Sequence, residues 1–164
     1  MTPLWWILAA VALVRLIELL YAARNTRRLF SRGAIEVGRE QYPWFVALHA
    51  AWLLAMFAFI PRTTPPNLYL LVVFVLAQAA RIWIIATLGP YWTTRVITLP
   101  GAPLVRRGPY AFMRHPNYAI VCIELAVLPL AFGAWQIALI FTVANAVLLA
   151  WRIRVENAAL DARR

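Results

Sequence analysis

A chain of 164 residues, 64% apolar and 13% charged with a mean hydropathy of +0.73, has a membrane protein's composition and excludes an ordinary water-soluble domain. Its 16 basic residues are all arginine, against six acids, for a net charge of +10. That charge lies between apolar spans, which favours anionic lipid headgroups and membrane orientation over a nucleic-acid-binding face. The single Cys122 excludes a disulfide framework or metal-ligand spacing and reads as an inert thiol within an apolar run.

Spanning a bilayer takes roughly 20 apolar residues in a helix. Pro3 to Ala23 gives the first span, with no basic leader and no small-residue cleavage site, so a retained helix is expected rather than a removed signal peptide. Pro43 to Ile60 and Asn67 to Gly89 give the second and third. Pro116 to Trp151 is too long for one crossing, and Pro129 and Gly133 near its middle predict a tight helical hairpin. The fold class is therefore an all-α integral membrane protein of about five transmembrane helices. It is one domain over 1–164, with an N-terminal helical pair over 1–66 and a core over 67–164.

The arginines then orient it. Arg24, Arg27, Arg28, Arg32 and Arg39 fill the first loop, Arg95, Arg106, Arg107 and Arg114 the third, and Arg152, Arg154, Arg163 and Arg164 the C-terminus. The second loop holds only Arg62 and the hairpin tip none, which predicts the N-terminus outside and the C-terminus in the cytoplasm. The loop 90–113 is the sizeable segment available to cover a site. No internal repeat is visible.

Ionisable groups inside spans are expensive and usually face an interior or an aqueous cavity. At about 1.5 Å per residue, Arg15, Glu18, His49, Arg81, Glu124 and Asn145 all fall roughly 9 to 14 Å below the cytoplasmic ends. Two readings stand. Internal pairing, such as Arg15 with Glu18 and Arg81 with Glu124, could simply fasten the bundle. Alternatively these groups, Arg81 and Glu124 above all, line a cavity beneath the segment "RHPNY".

In that segment Pro116 suits the first turn of a helix with His115 beside the cap. Free N–H groups, a positive dipole end and Arg114 make an anchor for a carboxylate or phosphate, and Tyr118 adds a ring and a hydroxyl. Gly108, Pro109 and Tyr110 shape the turn before it. The plain alternative is an arginine and a tyrosine marking the headgroup zone. Further on, Arg152 and Glu156 stand one helical turn apart, either as a second functional pair or as a solvated helix end.

The block "GPYAFMRHPNY", then Glu124, then "RIRVEN", preceded by "LGPYWTTRVITLPGAPLVRRGPY", resembles the isoprenylcysteine carboxyl methyltransferase family of integral membrane enzymes. The resemblance covers residues 81–160 and implies S-adenosyl-L-methionine binding at the cytoplasmic side. It places His115 and Tyr118 in the cofactor site with Glu124 nearby, and Arg152 and Glu156 beside the acceptor; the helix-end reading adds Arg114 and Tyr110 to the cofactor residues and makes Arg152 and Glu156 the candidates for the chemistry. The polar layer and the aromatic residues of the loop add Arg81, Trp92 and Asn145 as cavity residues. Family members commonly carry two adjacent acids after the arginine, whereas here Glu156 is followed by Asn157.

The segment "SRGAIEVGREQYPWFVALH" resembles a bacterial branch associated with O-methylation of long-chain alkylpyrones and alkylresorcinols. A lipophilic small-molecule acceptor with an acidic hydroxyl or carboxyl, in a bacterial cytoplasmic membrane, is therefore the first expectation. Isoprenylcysteine-like acceptors come second and phospholipid amines third. Rival classes are a sterol reductase using a nicotinamide dinucleotide and a small transporter using the intramembrane charges as an ion path.

Overall fold

The computed structural model describes residues 3–161. Five α-helices form the bundle: α1 (Pro3–Phe30), α2 (Tyr42–Phe59), α3 (Leu68–Leu88), α4 (Pro116–Ala131) and α5 (Trp135–Asp161). Four of them, α1, α2, α3 and α5, are long and apolar enough to cross a membrane, and α4 is a shorter apolar helix of 16 residues. At the usual rise α4 is about 24 Å long, short of a full hydrocarbon core. Arg163 and Arg164, counted above among the C-terminal arginines, lie outside the described residues.

Two features differ from the expectation. First, α1 runs to Phe30, well past the apolar run that ends at Ala23. The added turns carry Arg24, Arg27 and Arg28, good helix formers, and they bury Asn25, whose amide donates to the carbonyls of Gly89 (3.1 Å) and Trp92 (2.9 Å). Second, the chain is not purely helical. Two-residue strands β1 (Ile35–Glu36) and β2 (Ile97–Thr98) pair antiparallel, Ile35 opposite Thr98 and Glu36 opposite Ile97, joining the first and third arginine-rich loops. The hairpin turn falls where expected, after Ala131, with Gly133 at φ +71° supplying the left-handed residue.

Pro129 ends up inside α4 rather than beyond it. A proline there cannot donate to the carbonyl four residues earlier, that of Leu125. The indole N–H of the fully buried Trp52 takes the vacancy, donating to Leu125 O at 3.2 Å. In lipid a free carbonyl has no water to turn to, so this bond couples α2 to α4 at the proline. At the C-terminus of α4, Asn67 N–H donates to Ala131 O (2.7 Å) while its side chain caps α3 by accepting from Leu70 N.

The apolar core is lopsided. Leu4, Leu8, Met56, Phe74 and Leu128 belong to one buried cluster, drawn from the start of α1, the end of α2, the start of α3 and the end of α4. That half of the bundle is filled. The other half, under the arginine-rich loops, is hollow.

The approach to the hollow half is set by Gly108. Its φ of +56° is left-handed, and a Cβ there would stand 2.8 Å from Thr87 Oγ1 and 3.2 Å from Thr87 Cγ2 on α3. Gly108→Ala should therefore cost about 1–3 kcal/mol through strain and contact and displace the turn that leads into residues 114–118. Thermal unfolding in detergent checks it; an unchanged midpoint would mean that the turn is not seated on α3.

Candidate active site

The hollow half encloses a cavity of about 400 Å³, within the usual range for small-molecule and cofactor sites. All five helices and the loop 89–98 contribute to its wall. Its two ends differ in chemistry.

The end beneath the loops is built by α4 and α5. α4 begins at Pro116 with His115 as N-cap and no side-chain cap, leaving its first N–H groups available, as the proline position predicts. One turn in, the Tyr118 hydroxyl donates to Glu156 Oε2 and accepts from Arg152 Nε at 2.9 Å. Arg152 is buried, donates from Nη2 to Thr94 O (2.9 Å) and lies over the rings of Phe45 (5.0 Å) and Tyr118 (5.7 Å). The His115 ring stacks on Tyr118 at 5.2 Å, its Nδ1 lies 3.5 Å from Glu156 Oε2, and its Nε2 meets Asn157 Oδ1 at 3.1 Å. Arg152 and Glu156 are thus parts of one cluster and not a solvated helix end. Asn157, where the family pattern carries a second acid, is the partner of His115.

Tyr110 and Arg114 line the same region. Burial, with Glu156 nearby, pushes the Tyr110 hydroxyl well above its ordinary value, so it stays a proton-bearing donor. Trp92 is almost fully buried, lines the wall and stacks with Tyr21 at 6.0 Å. Arg95 braces the loop, bonded to Glu36 Oε1 at 2.9 Å and lying over the Tyr42 ring at 4.4 Å.

The floor is the charged layer. Arg81 on α3 donates from Nε to Glu18 Oε1 (2.8 Å) and from Nη2 to Glu18 Oε2 (3.0 Å), in a fork geometry. Arg15 donates to Glu18 Oε2 and to Glu124 Oε2, both at 2.6 Å. Gln78 adds 2.7 Å to Glu124 Oε1, and Arg81 Nη1 stands 3.5 Å from Glu124 Oε2. Two cations and two anions balance. Both expected pairs are present, Arg15 with Glu18 and, more loosely, Arg81 with Glu124; the structure adds the crossed contacts, Arg81 being held chiefly by Glu18 and Arg15 reaching Glu124 on α4 as well.

Of the residues singled out in the sequence, Arg81, Trp92, Tyr110, Arg114, His115, Tyr118, Arg152 and Glu156 share the cavity wall. Glu124 and Asn145 stand off it. Glu124, 3% exposed, is turned into the ion network, so a ligand meets it only through Arg15 or Arg81. Asn145, fully buried between α4 and α5, donates to Cys122 Sγ at 3.4 Å, and its position on α5 leaves it facing that helix pair instead of the hollow. Phe45, Thr94 and Gln78 went unnoticed in the sequence. Phe45 alone left a signal, lying four residues before His49 on one helix face.

The model of the isoprenylcysteine carboxyl methyltransferase family matches residues 69–162. This chain belongs to that family. Among curated proteins it is 36% identical to "Uncharacterized protein YpbQ" of Bacillus subtilis (strain 168), over 96% of this chain and 97% of that protein. It is 28% identical to an uncharacterized protein of Haemophilus influenzae (strain ATCC 51907 / DSM 11121 / KW20 / Rd), over 93% and 92%. No solved structure matches significantly. A family of membrane methyltransferases and a bundle of long apolar helices agree: this is an integral membrane protein of the methyltransferase class.

Proposed function

We propose that this family member transfers a methyl group from S-adenosyl-L-methionine to an oxygen, carboxylate or acidic hydroxyl, of a lipophilic acceptor held in the bacterial cytoplasmic membrane. The observation that carries this is the two-sided cavity: a cluster of Arg152, Tyr118, Glu156 and His115 at one end, and an apolar flank of Leu19, Val46 and Leu53 from α1 and α2. The arginines at the loop end favour a cytoplasmic site, with the N-terminus outside.

The wall suits the donor. Buried Asn117 Oδ1 and Thr98 Oγ1 have no partner among the described residues, and both residues line the cavity, as a polar ligand would require. Arg114 and the free N–H groups of α4 would take its carboxylate. Trp92 and the His115–Tyr118 stack would face its base, with Tyr110 as a donor. When bound, it supplies a methyl group on a sulfonium. Glu124 would act through Arg15 and Arg81 rather than by touch. Arg152 would align the acceptor oxygen, and Glu156, already held by Tyr118, would orient that assembly more than accept a proton. Residues 67–164 would hold the donor and 1–66 would complete the acceptor side.

Membranes carrying the protein, given S-adenosylmethionine labelled in the methyl group, should label long-chain hydroxyl or carboxyl acceptors. Label appearing only in isoprenylcysteine or only in phosphatidylethanolamine derivatives would transfer the assignment to that acceptor class. Label in none would remove it.

A further inference from the structure

A hydroxyl acceptor must lose a proton as its oxygen is methylated, and most acid and base atoms of the cavity are already engaged; Glu156 Oε1 is open among the described residues, but on a weakly basic carboxylate whose other oxygen holds Tyr118. Glu156 Oε2 accepts from Tyr118, with His115 close by. Both Glu18 oxygens are taken by Arg81 and Arg15. Both His115 nitrogens face oxygens of Glu156 and Asn157. Arg152 is a donor only.

His49 on α2 differs. Its ring lines the same cavity, and Nδ1 lies 2.8 Å from Phe45 O. A carbonyl can only accept, so Nδ1 carries the hydrogen, and in the neutral ring Nε2 carries a lone pair. Nε2 has no partner among the described residues. Phe45, one turn earlier, lies under the Arg152 guanidinium, so His49 stands about 6 Å further down the wall, between Arg152 and the charged floor. The charged groups around it are Arg15 and Glu18 on α1, Arg81 on α3, Glu124 on α4, and Arg152 and Glu156 on α5. A hydroxyl entering along the apolar flank of α1 and α2 would meet His49 on a wall shared with Arg15, Arg81 and Arg152, cations able to hold the resulting oxyanion.

We propose that His49 is the catalytic base when the acceptor presents an acidic hydroxyl, a phenol or enol on a long apolar tail. The inference rests on the methyl-transfer reading above. The acceptor oxygen forms the new O–CH3 bond while the S–CH3 bond breaks, leaving its electron pair on sulfur. The hydroxyl proton goes to His49 Nε2, and the imidazolium returns it to water. A carboxylate acceptor is already ionised and has no proton to give up.

The first test needs no methyl donor. Purified protein titrated with a long-chain alkyl nitrophenol, at a pH where the free probe is mainly neutral, should develop the phenolate absorption band. His49→Gln should form about tenfold less, the equivalent of one unit in the probe's ionisation. In turnover, His49→Gln should slow methylation of a hydroxyl acceptor ~100-fold and that of a carboxylate with the same tail several-fold at most. An undiminished band, or equal slowing of both acceptors, would overturn the role. Band formation in a wild type that methylates neither acceptor would keep the proton-accepting site and overturn the methyl-transfer reading instead, so the two failures are told apart.

Discussion

Removing the Glu124 carboxylate should be among the most damaging single changes to stability. The group is 3% exposed and accepts from Arg15 and Gln78, with Arg81 beside it. Glu124→Ala leaves two buried guanidiniums facing Glu18 alone, one positive charge in excess at membrane depth. Breaking such a pair from one side costs about 3–5 kcal/mol, because the surviving charge is stranded where water cannot reach it. Changing Arg15 to Met in the same protein should recover part of the loss, since the double variant restores the balance of charge. Thermal unfolding in detergent measures both. A loss under about 1 kcal/mol in Glu124→Ala would mean that water enters the layer and the acid is not structurally required.

The largest effect on turnover is expected at Arg152. Its side chain is held on three sides, by the Tyr118 hydroxyl, the Thr94 carbonyl and the Phe45 ring. A guanidinium fixed in this way can present its remaining N–H groups to an acceptor oxygen without reorganising. Arg152→Met should lower methyl transfer by about 100- to 1000-fold, the usual consequence of deleting a preorganised donor. Donor binding should change only a few-fold, because Arg114 and the α4 terminus remain. Arg152→Lys should rescue little: a single ammonium cannot bond Tyr118 and Thr94 while lying over Phe45. Equal loss of donor binding and of turnover would move Arg152 into the donor's part of the cavity.

Much of this arrangement was legible before any coordinates. Each long span shows as an apolar run, Pro129 and Gly133 mark the hairpin, and His115–Pro116 marks the start of α4, because these signals act over a turn or two of helix. The charged layer was visible too, since Arg15, Glu18, Arg81 and Glu124 are conspicuous inside apolar runs. Their pairing was legible only in part: Arg15 does meet Glu18 and Arg81 does lie beside Glu124, but the crossed bonds were not foreseen. Arg15 reaches Glu124 across 109 positions in sequence, and which acid an arginine meets depends on helix rotation, which composition does not reveal. The β1–β2 pair escaped notice for a related reason: two residues per strand leave no alternation to read, and the partners lie in different loops. Apolarity also misjudged α1, whose last turns are helical though rich in arginine. Among the site residues, Glu124 and Asn145 are buried within the bundle, yet a position along a helix does not say whether a side chain turns toward the hollow or toward a neighbouring helix.

The absence of a second acid at Asn157 becomes intelligible in the same physical terms. His115 Nε2 needs an oxygen beside it, and the amide oxygen of Asn157 supplies one without adding a further negative charge next to Glu156. A cavity with a single acid at its loop end holds Tyr118 and His115 in place while leaving Arg152 able to attract an anionic or ionising oxygen.

The central claim is that the hollow half of the bundle receives a polar methyl donor at the His115–Tyr118 end. Calorimetric titration of the detergent-purified protein with S-adenosylmethionine, wild type beside His115→Ala, tests it most directly. One-to-one binding in the roughly micromolar range, weakened at least about tenfold in the variant, is the expected result. No saturable heat in the wild type, or identical binding in both proteins, would contradict it.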